Sequence, residues 1–103
     1  MNIGKLYEIK EYFWLLYPSK EIAYAADDAT AGRATLVHAT AMATAAYYRK
    51  RFKCNVSYIE PNSIFMLLDQ DGEYIKILST NGELGWIYLA DWCKKDIEEV
   101  EAE

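Results

Sequence analysis

Two dipeptides, Asp71-Gly72 and Asn81-Gly82, constrain this chain more than any other feature in it. Both suit tight hairpin loops, whose twist demands backbone angles that Gly, Asn and Asp adopt at little cost. They separate three short runs: Ile64-Phe65-Met66-Leu67-Leu68, Tyr74-Ile75-Lys76-Ile77-Leu78 and Leu84 to Tyr88. The spacing predicts an antiparallel meander. Val56-Ser57-Tyr58-Ile59, closed by the turn pair Pro61-Asn62, adds another strand, and Tyr88 to Trp92 reads as a short 3₁₀ turn. Near the N-terminus, Lys5 to Lys10 and Tyr12 to Tyr17 carry the same aliphatic and aromatic signature, and Pro18 ends the second run. That second run is almost continuously apolar, which predicts burial on both faces or a sharp bend. Fifteen of the residues being aromatic, nine of them Tyr, supports a strand-rich fold.

Between Ser19 and about Phe52 the composition changes. Eleven alanines fall between Ala23 and Ala46, with no proline, and alanine is the strongest helix former. Ile22, Ala25, Ala29, Gly32, Leu36, Ala39, Ala43 and Ala46 step by three and four, so they predict one helical stripe of small or apolar residues. Asp27-Asp28 and Gly32 are the places where this helix can break in two. An unbroken helix of that length spans roughly 45 Å. It either folds back over its own sheet or packs against another copy.

The length of 103 residues argues for one domain over 1–103, with the helical insertion at about 19–52. The net charge of −5 comes from the tail 96–103, where Asp96, Glu98, Glu99, Glu101 and Glu103 stand without a basic residue. The remaining body is neutral, and the tail reads as a solvated end. Overall acidity repels phosphate backbones at long range but permits a local basic patch. Cys54 and Cys93 fit neither a redox motif nor a zinc site and read as ordinary buried thiols of a reducing cytoplasm. The N-terminal residues Met1 to Lys5 lack a leader pattern. The longest uncharged run, Ala34 to Tyr48, is too short and too polar to span a bilayer. The expected location is therefore the cytoplasm.

Gly82-Glu83-Leu84-Gly85-Trp86-Ile87 resembles the closing strand of SH3-like barrels, where Gly85 suits a bend or a close approach of another backbone. Together with Leu16-Tyr17-Pro18-Ser19-Lys20-Glu21, the Ala-rich segment and Tyr58-Ile59-Glu60-Pro61-Asn62, the whole chain resembles a group of small marine proteins thought to come from cyanophages. That group is similar in fold to Sm/LSm proteins. The resemblance implies an α+β chain built on an SH3-like, Sm-like small β-barrel with an inserted Ala-rich helix. It also implies a homo-oligomer, a ring in the Sm case, that binds RNA in the host cytoplasm. Sm proteins carry their helix before the first strand, whereas here it follows two strands. The Asp-x-x-hydrophobic-Asn and Arg-Gly motifs that hold uracil in Sm rings do not occur in this sequence. RNA contacts are therefore not carried over residue by residue.

The chain offers little for catalysis. The single histidine, His38, lies among Ala and Thr and reads as a packed side chain. The five glycines form no phosphate-binding loop. Asp69-Gln70-Asp71-Gly72-Glu73 lacks the frame of a calcium loop and reads as a polar hairpin, so neither metal nor cofactor is expected. The chemistry-bearing cluster is Tyr47-Tyr48-Arg49-Lys50-Arg51-Phe52-Lys53, which holds four of the 11 basic residues. Arg49, Lys50, Arg51 and Lys53 are candidates for phosphate contacts, and Tyr47, Tyr48 and Phe52 for base stacking, with at least one of the three expected in the core. The bland explanation is a helix end whose cations match the macrodipole. The expected function is non-catalytic binding of RNA or single-stranded nucleic acid. The alternative is a peptide- or protein-interaction module whose groove draws on Trp14, Trp86, Tyr88 and Trp92.

Overall fold

The computed structural model describes residues 2–28, 34–89 and 95–100. Its elements in chain order are β1 (Leu6–Ile9), β2 (Phe13–Leu16), α1 (Lys20–Asp28), β3 (Ala34–Thr35), α2 (His38–Phe52), β4 (Ser57–Ile59), β5 (Ile64–Asp71), β6 (Tyr74–Ser79), β7 (Leu84–Tyr88) and β8 (Ile97–Glu99). The fold is α+β. One antiparallel sheet has five strands in the order β7-β6-β5-β1-β8, and a second has three in the order β3-β2-β4.

The meander forms where the hairpin signals put it. Asp71 pairs with Tyr74 across the first turn, and Leu78 with Leu84 across the second. Gly72 and Gly82 take positive φ, at 61° and 85°, which an L side chain adopts only under strain. Strand β5 extends through Asp69 and Gln70, which the sequence suggested as turn, and its register shifts between Leu67 and Asp69. A shift of this kind bends a strand and raises its twist.

Among the described residues, one isolated bridge joins the backbones of the two sheets. The Tyr17 and Trp86 backbones exchange reciprocal hydrogen bonds of 2.8 and 2.7 Å, so the end of β2 docks on β7. Among the described residues the sheets do not join into one closed barrel. Gly85 sits at this junction, where a Cβ would lie 2.6 Å from the Tyr17 carbonyl oxygen. The close backbone approach suggested by Gly85 is what the fold contains.

Strand β2 is buried on both faces, as its apolar run predicts. Trp14 and Leu16 enter a core with Ile9, Phe65, Leu67, Ile75, Ile77 and Ile87. Leu15 and Tyr17 face a second core with Ala23, Ala26, Ala45, Tyr48 and Val56, beneath the helices. One strand is thus the common wall of two cores.

The Ala-rich segment is two helices with the short β3 between them. Ser19 caps α1, its Oγ accepting from the Ile22 N–H at 3.2 Å. Asp28 ends α1. The other anticipated breaker, Gly32, lies outside the described residues. The anticipated stripe is not the one that covers the chain's own sheet, and Ala29 within it lies outside the described residues. Ala25, Leu36, Ala39, Ala43 and Ala46 are exposed and Ile22 is half-buried, whereas Ala23, Ala26, Ala41, Ala45 and Tyr48 are buried. Helix α2 has turned its Tyr48-bearing stripe inward. Burying the Tyr48 ring removes far more apolar surface from water than burying another methyl.

The segment anticipated as a solvated acidic tail enters the fold at its start. Asp96 is buried, and Ile97 to Glu99 pair with β1 as the sheet's outer strand. Glu8 and Glu98 stand directly opposite each other, and Lys10 lies between them at 2.8 and 3.0 Å. The two carboxylates hold the Lys10 ammonium above its ordinary pKa, Glu8 first. Of the 3₁₀ turn expected over Tyr88–Trp92, Tyr88 is instead the last residue of β7, and Ala90 to Trp92 lie outside the described residues, as does Cys93.

Candidate nucleic-acid interface

Helix α2 ends in Arg49, Lys50 and Arg51, and Lys53 follows as its C-cap in a left-handed conformation with φ 52° and ψ 44°. Cations suit this end, where the last carbonyls leave partial negative charge. All four basic residues are exposed. Among the described residues none of the four forms an ion pair, since the described pairs involve Lys10 and Lys20. The charge on this helix end is therefore directed at solvent.

The structure separates the three aromatic candidates. Tyr48 is 2% exposed, its ring meets Tyr17 edge-on at 6.2 Å, and its hydroxyl donates to the Ala26 carbonyl at 3.3 Å. It is a core residue that clamps α2 to α1 and is removed from the stacking set. Phe52 is half-buried and stacks on Tyr48 at 5.6 Å. Tyr47 is 55% exposed and beside the cations, with Arg51 Nη1 3.5 Å from its hydroxyl. The Arg51 guanidinium also lies 5.6 Å from the centre of the Phe52 ring, within cation–π range.

Arg49 does more than join this cluster. It also lines a polar groove of about 320 Å³, together with Ser57, Tyr58, Ser63, Ser79 and Asn81 and the two carboxylates of Glu60 and Glu83. Hydroxyls and an amide there can donate to or accept from a polar ligand. This groove was not legible in the sequence, because it draws on α2, β4, β6 and the second hairpin.

His38 is engaged structurally. Its ring stacks on Phe13 at 5.1 Å and its Nε2 lies 2.7 Å from the Tyr58 hydroxyl. Cys54 is half-buried, and desolvation pushes its thiol above the ordinary cysteine value. A thiol held protonated is a poor nucleophile. Among the described residues no three His, Cys, Asp or Glu side chains are placed to hold a metal ion. No helix in the described residues is long and apolar enough to cross a membrane.

Of the four residues anticipated for a peptide groove, Trp14 is corrected. It is fully buried, and its Nε1–H donates to Asp96 Oδ2 at 2.9 Å. Trp86 is half-buried against the second core, Tyr88 is half-buried, and Trp92 lies outside the described residues. Comparison with known proteins finds no matching family, no matching curated protein and no matching solved structure.

Proposed function

We propose that the protein binds single-stranded nucleic acid, RNA first, without catalysing a reaction on it. The observation that carries this is the position of Arg49. It belongs both to an exposed, unpaired basic cluster and to a polar groove large enough to admit part of a nucleotide. In this reading Arg49, Lys50, Arg51 and Lys53 contact phosphates, Tyr47 stacks on a base, and the groove accepts polar edges of a base or sugar. Phe52 supports the stacking surface from beneath Arg51.

We propose further that the fold is an open form of the SH3-like, Sm-like barrel, with β2 to β4 and both helices inserted between β1 and β5, and that it acts as a homo-oligomer. The strand order β8-β1-β5-β6-β7 and the Tyr17–Trp86 junction support the first part. Repeating one basic cluster per subunit would add weak contacts together, which suits a patch of only four cations.

The test is light scattering after size-exclusion chromatography, with and without a mixed single-stranded RNA pool, at several salt concentrations. The expected result is a multiple of the 11.9 kDa chain mass that captures RNA. Four phosphate contacts on a single strand predict log K falling against log salt with a slope of about −3 per bound subunit. Changing Arg49, Lys50, Arg51 and Lys53 together to Gln should remove the binding and flatten that slope while the fold persists, since all four are exposed. Unchanged affinity in that variant rejects the interface. A monomer that ignores RNA rejects the whole proposal.

A further inference from the structure

A second groove, of about 550 Å³, opens between the start of α1 and the β5–β6 hairpin, on elements separate from the basic end of α2. Its described lining has two components. One is a row of tyrosines: Tyr24 lies 6.4 Å from Tyr74, and Tyr74 lies 5.0 Å from Tyr88, centre to centre. Successive rings are inclined by 48° and 47°, so none lies flat on its neighbour. Tyr24 is 60% exposed, a large ring held at the surface. The other component is charge. Glu21, Asp71 and Glu73 face a single cation, Lys20, which pairs with Asp71. Two carboxylates are left over, and the Tyr88 hydroxyl donates to one of them, Glu73 Oε2, at 2.7 Å.

These components select among ligands. The surplus negative charge repels anions, phosphate included. A purely apolar ligand would desolvate Glu21 and Glu73 with nothing in return. A hard metal ion needs oxygens gathered around one point, and the described residues hold no such group. The ligand class that engages both components at once is a diffuse, weakly hydrated organic cation, which aromatic rings attract through their quadrupoles and carboxylates attract at longer range. We propose that this groove binds a methylated ammonium group, held by Tyr24, Tyr74 and Tyr88 and favoured by the field of Glu21 and Glu73. The group is carried either by a trimethylated lysine side chain in a peptide or by a free choline-like solute.

The full chain is titrated with choline, and amide shifts are followed by NMR. Parallel titrations use a trimethyl-lysine peptide and the uncharged choline analogue in which carbon replaces nitrogen. Saturable shifts centred on Glu21, Tyr24, Gly72, Glu73, Tyr74 and Tyr88 are expected for the cations, with much weaker binding of the neutral analogue. Tyr24→Leu should weaken the cation about tenfold, and Glu21→Gln should weaken it less and reduce its salt sensitivity. Both positions are exposed, so neither variant threatens the fold. Tighter binding of the peptide than of choline identifies a protein side chain as the source, and the reverse identifies a free solute. Either supports the site. Absence of saturation with both cations, equal affinity for the neutral analogue, or an unaffected Tyr24→Leu variant overturns it.

Discussion

Asp96 organises the end of the chain through three hydrogen bonds. Its Oδ1 accepts from the Glu11 N–H at 2.7 Å, and its Oδ2 accepts from the Tyr12 N–H at 3.2 Å and from the Trp14 indole at 2.9 Å. It therefore joins the β1–β2 turn to the start of β8 and satisfies a donor inside the main core. A buried donor stripped of its acceptor retains its full desolvation cost. Asp96→Ala should lower unfolding free energy by roughly 2–4 kcal/mol, read by urea denaturation, with Asp96→Asn intermediate because it keeps one acceptor oxygen. A loss within experimental error would show that these bonds contribute nothing net. In the sequence this residue was indistinguishable from the glutamates that follow it. Its partners lie more than eighty positions away, and no local pattern announces such a contact. The same distance hid the tyrosine groove, which takes residues from α1, the first hairpin and β7. Tyr47, Arg49, Lys50, Arg51 and Lys53 were legible because they are neighbours on one helix end.

At the scale of elements, β1, β2 and β4 to β7 were legible because their signals are local: a hairpin dipeptide, an alternating run, a proline. Strands β3, inside the Ala-rich segment, and β8, inside the acidic tail, carry no such signal and were missed. The facing of the helices was not. With eleven alanines in one stretch, several stripes of period 3.6 are equally smooth, so small-residue spacing does not choose among them. The choice falls to the stripe through Ala41, Ala45 and Tyr48, where the Tyr48 ring packs with Phe52 into the second core while Tyr47 stays exposed. This orientation makes a paired prediction. Ala45→Leu adds three carbons to a packed site that is 1% exposed and should cost about 1–3 kcal/mol. Ala43→Leu, two positions away on the solvent side, should change stability by no more than about 0.5 kcal/mol. Thermal or urea unfolding of the two variants side by side decides it, and the reverse ranking would mean that α2 packs through the other stripe.

At the scale of the whole molecule, the question is what makes two sheets behave as one body. Strand β2 provides the shared wall, but the sheets are stitched together only where Tyr17 meets Trp86 among the described residues. The stitch requires the β7 backbone to approach Tyr17 closely, and that approach requires no side chain at position 85. A Cβ there would stand 2.6 Å from the Tyr17 carbonyl oxygen, 2.8 Å from Leu16 Cγ and 2.9 Å from Leu16 Cδ1. The side-chain carbons can turn aside, at some expense to the core that Leu16 fills. The carbonyl oxygen cannot, because it accepts the Trp86 N–H at 2.7 Å in that same junction. Gly85→Ala should therefore separate the strands locally rather than merely crowd them. A cost of about 1–3 kcal/mol is expected from the overpacking, together with faster amide exchange at Tyr17 and Trp86 than at Ile75 or Ile77 in the middle of β6. Uniform acceleration at all four amides would instead mean that the sheets unfold as a single unit and that the junction has no stability of its own. Wild-type stability with unchanged exchange would mean that the two sheets do not depend on this contact at all.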